Sequence, residues 1–95
     1  MSYTTPDISY KGTVSGVVTT AGANQEIDME DGASNPVTVG ALAISCTEAM
    51  GVKINDETNI HQFAAGDKFN FEGVAITKIV IVESGVTIDY KGLFV

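Results

Sequence analysis

The chain has 95 residues, a hydrophobic content of 44% and a formal net charge of −7, which is enough for one domain with a single core. The charge balance, with five lysines and no arginine, argues against a nucleic-acid partner, because phosphate binding requires clustered basic side chains. One histidine and one cysteine exclude an internal disulfide and most metal centres or nucleophile–base pairs within a single copy.

Residues 1–7 are polar and contain Pro6, which predicts a flexible N-terminal arm. This segment has neither the basic nor the apolar region of a secretion signal. Nowhere does the chain have the roughly 20 consecutive apolar residues of a membrane span. We therefore expect synthesis in a cytoplasm and no membrane partner.

Val, Ile and Thr supply 30 of the 95 residues, and such β-branched side chains favour strands. In the N-terminal half the predicted strands cover residues 8–20, 25–29 and 37–46. Gly12 and Gly16 interrupt the first of these, which predicts a bend or a bulge. The third is almost continuously apolar, which predicts a central strand covered on both faces.

In the C-terminal half, apolar and polar residues alternate more clearly. The predicted strands there cover residues 52–55, 60–63, 68–71, 75–82 and 86–90. Gly85 stands in a short loop at a position that tolerates positive φ. Most of the aromatic residues also lie in this half, so we expect the main core there; they are Phe63, Phe69, Phe71, Tyr90 and Phe94.

About eight short strands at intervals of 8–12 residues are typical of hairpin-built all-β folds. The predicted fold is a single small β-sandwich or jelly roll of antiparallel strands over residues 8–95, preceded by the arm at residues 1–7.

The strongest candidate for a ligand site is the acidic segment around β-strand residues 25–29. Glu26, Asp28 and Asp31 are candidate ligands for a hard cation such as Ca²⁺, although the segment lacks the ligand spacing of an EF-hand loop. The preferred interpretation is a solvated strand edge whose charge opposes edge-to-edge aggregation. Neither a metal nor another cofactor is therefore predicted.

No catalytic residue is predicted, and we expect that the protein is not an enzyme. His61 is interpreted as a partly exposed strand residue beside Phe63, because a metal site there would need ligands from other subunits. Cys46 follows Leu42 and Ile44 at a period of two, which predicts a buried thiol that packs as a small apolar group.

The high hydrophobic content of so short a chain predicts that some apolar surface lies in a contact between subunits. Tyr3 and Pro6 in the arm, together with Tyr10, are the residues predicted to dock on a neighbouring subunit.

The C-terminal half carries four short motifs, VKIN at residues 52–55, AAGD at 64–67, FNF at 69–71 and ITKI at 76–79. Over residues 50–95 the chain thereby resembles small virion proteins of tailed bacteriophages, namely capsid decoration, head-fibre and tail-accessory domains. The resemblance implies a β-sandwich subunit that forms homo-oligomers, commonly trimers, and binds a capsid or tail lattice. It implies no catalytic residues.

The expected function is that of a non-enzymatic structural or assembly protein of a phage virion, assembled in the host cytoplasm. Its expected partners are copies of itself and the major capsid or tail protein. Two alternatives remain open. One is a carbohydrate- or cell-surface-binding module, such as a receptor-binding tip, which a metal at Glu26, Asp28 and Asp31 would support. The other is a small enzyme whose site combines His61 with carboxylates of different subunits.

Overall fold

The computed structural model describes residues 10–95, and the elements of this part are all β-strands. The eight strands are β1 (Gly12–Thr19), β2 (Gln25–Asp28), β3 (Val39–Cys46), β4 (Met50–Ile54), β5 (His61–Phe63), β6 (Lys68–Ile76), β7 (Lys78–Ile81) and β8 (Thr87–Phe94). Among the residues described, none forms a helix with the length and apolarity that a bilayer crossing requires.

The strands form two four-stranded sheets, and every pair of neighbouring strands is antiparallel. Sheet 1 has the order β1-β8-β3-β6, and sheet 2 has the order β2-β7-β4-β5. The prediction of an all-β sandwich with eight antiparallel strands is therefore confirmed.

The core between the two sheets consists mainly of aliphatic side chains. Many of these are β-branched, and such side chains pack well on a pleated surface. Burying each such side chain stabilises the fold by about 1.5–3 kcal/mol. The side chains with 0% exposure are Val39, Val52, Ile76, Ile79, Ile81 and Ile88. The expectation that aromatic residues form the main core is only partly met. Phe63 is buried, Phe71, Tyr90 and Phe94 pack on the core's rim, and Phe69 is exposed.

The structure corrects the sequence prediction for β3. This strand lies between β8 and β6, but only one of its faces is covered. Leu42 and Ile44 are buried while Ala43 between them is exposed. The outward positions Ala41 and Ala43 are small rather than polar, so they cannot be distinguished from core residues by hydrophobicity alone.

The predicted strand at residues 75–82 is also wrong. β6 continues through Gly73 to Ile76 in sheet 1, the chain bends at Thr77, and β7 begins at Lys78 in sheet 2. The predicted turn at residues 72–73 is a bulge within β6, where the register against β3 shifts. A bulge lets a strand bend without ending, so one apolar run serves both sheets.

The N-terminal prediction can be compared with the structure only in part. β1 begins at Gly12, whereas the predicted strand begins at residue 8. The arm at residues 1–7 lies outside the described residues.

Candidate functional site

The most distinctive surface of the sandwich is a cleft between the edge strands β5 and β6, which we call the aromatic cleft. Its rings belong to His61, Phe63, Phe69 and Phe71. Its volume is about 240 Å³. The ring centroids of Phe69 and Phe71 lie 4.8 Å apart, and the His61 ring stands edge-on to Phe71 at 5.4 Å. Such tilted and edge-on arrangements are the favoured geometries of aromatic pairs.

The cleft exists because β6 is the last strand of sheet 1 and the strand at the corresponding end of sheet 2 is short. Phe69 and Phe71 are paired with Ile44 and Leu42 of β3, so they point toward the second sheet. β5, however, has only three residues and does not cover them fully. Phe69 therefore remains 51% exposed.

His61 lines the cleft and pairs with Glu57, which stands in the loop before β5. The Nε2 atom of His61 lies 2.7 Å from Oε1 of Glu57, which also accepts a 3.0 Å hydrogen bond from the backbone N–H of Ile54. The Ile54 N–H, and after it His61, lower the pKa of Glu57. Stabilised carboxylates of this kind serve poorly as proton acceptors near neutral pH.

Cys46 is buried, as the sequence predicts, and its Sγ contacts the carbonyl oxygen of Ala64 at 3.4 Å. Burial raises the pKa of this thiol, so the reactive thiolate is disfavoured at neutral pH. The residue packs as a small apolar group.

A second surface is the outer face of sheet 1, which carries a shallow groove of about 480 Å³. The floor of the groove contains small side chains, including Ala41 and Ala43, and Leu93 stands at its rim. The charges on this outer face balance, since two of the five lysines and two of the twelve acidic residues stand on it. They are Lys68, Lys91, Glu72 and Asp89. The formal charge of −7 therefore belongs to the rest of the chain.

The structure does not bring the candidate metal ligands Glu26, Asp28 and Asp31 together. Glu26 pairs with Lys78 at 2.7 Å, and Asp28 stands exposed at the end of β2. Within residues 10–95, no group of three or more His, Cys, Asp or Glu side chains is placed to hold a metal ion.

Asp31 instead organises its own loop. Its Oδ1 accepts hydrogen bonds from the backbone N–H groups of Ala33 (2.8 Å) and Asn35 (3.0 Å). These hydrogen bonds lower the pKa of Asp31, and the bond from Asn35 has the largest effect.

Lys78 lies between two carboxylates, because it pairs with Asp56 at 2.8 Å as well as with Glu26. Asp56 and then Glu26 raise the pKa of Lys78.

Of the predicted docking residues, Tyr3 and Pro6 lie outside the described residues. Tyr10 is 39% exposed, and its ring packs over Gly40 of the same chain, where an added Cβ would lie 3.3 Å from the ring. Part of the Tyr10 ring therefore remains accessible.

The sequence predicts Phe69 as part of the core and does not predict the aromatic cleft. A signal was present, because Lys68 and Glu72 flank the FNF motif and charged residues are typical of edge strands. Since each of them also fits a solvated face, the signal does not by itself identify an edge.

Comparison with known proteins gives a fold and no activity. No protein-family model matches the chain, and no curated protein does. Among solved structures, the chain is similar to a DUF1255 protein of unknown function from Acinetobacter sp. ADP1, at 20% identity and a TM-score of 0.51. That match covers 85% of this chain and 68% of the other.

A protein of unknown function from Vibrio parahaemolyticus, VPA0057 (targeted domain 2–94), matches at 16% identity and a TM-score of 0.47, over 84% of this chain and 72% of the other. The similarity to the Acinetobacter protein contradicts the resemblance to phage virion proteins, which is wrong. The Acinetobacter structure supports the fold alone. The VKIN, AAGD, FNF and ITKI motifs misled because each is a turn or strand signal that any antiparallel sandwich can carry.

Proposed function

We propose that this protein is a non-catalytic β-sandwich subunit whose role depends on association with copies of itself. The observation that carries the proposal is the aromatic cleft beside β6, where Phe69 is 51% exposed. Large apolar side chains that gather on the surface of a small protein mark a contact with another molecule more often than an isolated exposed side chain does.

The backbone beside the cleft supports the same function. β6 has nine residues and is the edge strand of sheet 1, so no strand of the described chain pairs with its outer side. A long edge strand with apolar neighbours is a template for pairing with another chain. Monomeric proteins usually block such an edge with charges or a bulge; in β6 the bulge lies beyond Glu72 and leaves residues 68–72 in regular register.

The distribution of charge permits a second copy at this edge. Two chains that each carry −7 repel one another, yet β6 contributes one positive and one negative side chain, Lys68 and Glu72. The edge strand β2 in the other sheet carries Glu26 and Asp28, and this negative charge opposes pairing there. A copy can thus approach the β6 edge without net like-charge repulsion. The edge strand β1 carries no charged side chain either, and it is the exposed aromatic ring of Phe69 that distinguishes the β6 edge from it.

A capsid or tail protein as partner, and a virion as location, rested on the phage resemblance and are not part of this proposal. A carbohydrate-binding module remains the second candidate. The observation that favours it is the exposed ring of Phe69 next to Gln62 and Lys68, since an exposed aromatic face with polar groups beside it can stack on a sugar ring.

The test is sedimentation velocity of the wild-type chain over a wide concentration range. We expect a species larger than the 9.9 kDa monomer, and we expect Phe69→Ser to shift the population toward monomer. The control is Val17→Ser, which removes another exposed apolar side chain (69% exposed) on the opposite edge strand of sheet 1 and should leave the association unchanged.

A wild-type chain that sediments as a monomer at every concentration contradicts the proposal. In that case, titration of the wild-type chain with simple sugars, followed by calorimetry, tests the second candidate. Binding that Phe69→Ser abolishes would support it.

A further inference from the structure

The edge strand β6 begins with a segment that is complementary to itself. Residues 68–72 read Lys-Phe-Asn-Phe-Glu, so the two sides of Asn70 carry matching aromatic residues and opposite charges. We propose that two copies of the chain pair their β6 strands antiparallel, with Asn70 opposite Asn70. This inference rests on the proposed self-association and specifies its contact.

The regular part of β6 coincides with this segment. Lys68 through Glu72 pair in unbroken register with Ser45 through Ala41 of β3. The register shifts only beyond Glu72, near Gly73, whose φ is +71°. The free edge is therefore straight over these five residues and bends immediately after them.

The backbone groups of this segment are also oriented for pairing. The N–H of Cys46 donates to the carbonyl of Asp67 at 3.3 Å, in the same ladder that joins β3 and β6. Because antiparallel ladders bond at alternate residues, the backbone groups of Phe69 and Phe71 face β3. Those of Lys68, Asn70 and Glu72 then face the free edge, where a second strand would bond to them.

The register centred on Asn70 gives each of these five side chains a complementary partner in the other copy. It sets Lys68 opposite Glu72 and Phe69 opposite Phe71, and two-fold symmetry repeats each pair. A centre at Phe69 would place Asp67 opposite Phe71, and a centre at Phe71 would place Phe69 opposite Gly73. Among these neighbouring registers, only the one centred on Asn70 matches charge with charge and ring with ring.

The resulting dimer contains one continuous eight-stranded sheet, built from two copies of the four-stranded sheet 1. The aromatic cleft of each copy then lies next to that of the other, and the four rings of Phe69 and Phe71 share one apolar layer. The association thereby covers the surface that the isolated chain leaves exposed.

Two charge reversals test the register. Lys68→Glu sets a glutamate opposite a glutamate, and Glu72→Lys sets a lysine opposite a lysine, each twice in the symmetric dimer. We expect each variant alone to associate at least about tenfold more weakly than the wild-type chain. An equimolar mixture of the two variants should regain a dimer, since the two glutamates at positions 68 and 72 of one variant then lie opposite the two lysines of the other.

Crosslinking measures the same register independently. Antiparallel partners that exchange two hydrogen bonds have Cα atoms about 5.5 Å apart, which a disulfide can span. Asn70→Cys should therefore form a covalent dimer under mild oxidation. The control Asn59→Cys, in the exposed loop before β5, should remain uncrosslinked, and circular dichroism confirms that all variants keep the fold.

The outcomes separate the two proposals. A wild-type chain that is monomeric overturns self-association itself. A wild-type oligomer overturns only the β6 contact if the charge variants associate normally, if their mixture gains nothing, or if Asn70→Cys crosslinks no better than Asn59→Cys.

Discussion

The side chain of Asn55 forms hydrogen bonds to the segment in which the chain passes from sheet 1 to sheet 2. This residue follows β4 with a φ of +55°, and its Nδ2 donates to the carbonyl of Ala75 at 2.8 Å. Its Oδ1 accepts from the backbone N–H of Thr77 at 2.8 Å and from the Thr77 hydroxyl at 3.2 Å. Asparagine tolerates this left-handed conformation better than most residues. The same residue therefore permits the turn after β4 and supplies the hydrogen bonds to the segment between β6 and β7.

We predict that Asn55→Ala lowers the free energy of unfolding by about 2–3 kcal/mol, because it removes these hydrogen bonds and leaves alanine in a left-handed conformation. Urea unfolding measures this change. Asn59→Ala, at an exposed position of the same loop, should change it by less than about 0.5 kcal/mol. Equal effects of the two substitutions would show that the contacts of Asn55 contribute little.

β6 illustrates how one element serves both the fold and the candidate contact. Its first half is a regular strand against β3, and its second half is bulged and leads into sheet 2. Gly73 stands between the two halves with a φ of +71°, and an added Cβ there would meet nothing within 4 Å. The cost of a side chain at this position is therefore backbone strain rather than a clash.

At this scale we predict that Gly73→Val destabilises the protein by about 1–2 kcal/mol, since a β-branched residue resists positive φ. Gly32→Val is the matched control, because Gly32 is equally open but does not have a positive φ. Its denaturation midpoint should stay close to that of the wild-type chain. A normal midpoint for Gly73→Val would mean that the bulge can relax into another geometry.

The placement of the elements follows largely from local patterns. Ile88 and Tyr90 alternate with Asp89 as predicted, and Gly85 adopts the positive φ that its loop position suggests. The patterns fail to predict the exposed face or the end of a strand where no polar residue marks it. Ala43 stands on an outward face and Ile76 ends one strand two residues before Lys78 begins the next, and neither fact is visible in hydrophobicity.

Within residues 10–95, the molecule has a single core enclosed by its two sheets. The buried hydrophobic residues of the described chain lie between Val14 and Ile88, and the first strand begins at Gly12. Its net charge of −7 is excluded from the β6 edge, where the charges of Lys68 and Glu72 cancel. The proposed association therefore uses an edge whose own formal charge is zero.

We predict that deletion of residues 1–7 changes the free energy of unfolding by less than about 0.5 kcal/mol. If Tyr3 and Pro6 dock on a neighbouring copy, the same deletion weakens association while the fold persists. Thermal unfolding followed by circular dichroism measures the first effect, and analytical ultracentrifugation measures the second. Loss of the folded state would contradict the separation of arm and domain.

The candidate site shows the limit of local information most directly. That residues 68–71 form a strand, with Phe69 and Phe71 on one face, follows from alternation alone, because side-chain direction in a strand depends only on neighbouring residues. That the strand continues through Glu72 does not follow, since the sequence predicts a turn at residues 72–73. Whether that strand stands at the edge of a sheet, and whether the opposite sheet covers its aromatic face, depends on contacts with β3 and on the shortness of β5. Residue spacing therefore defines the strand, whereas the packing of distant segments leaves Phe69 in solvent.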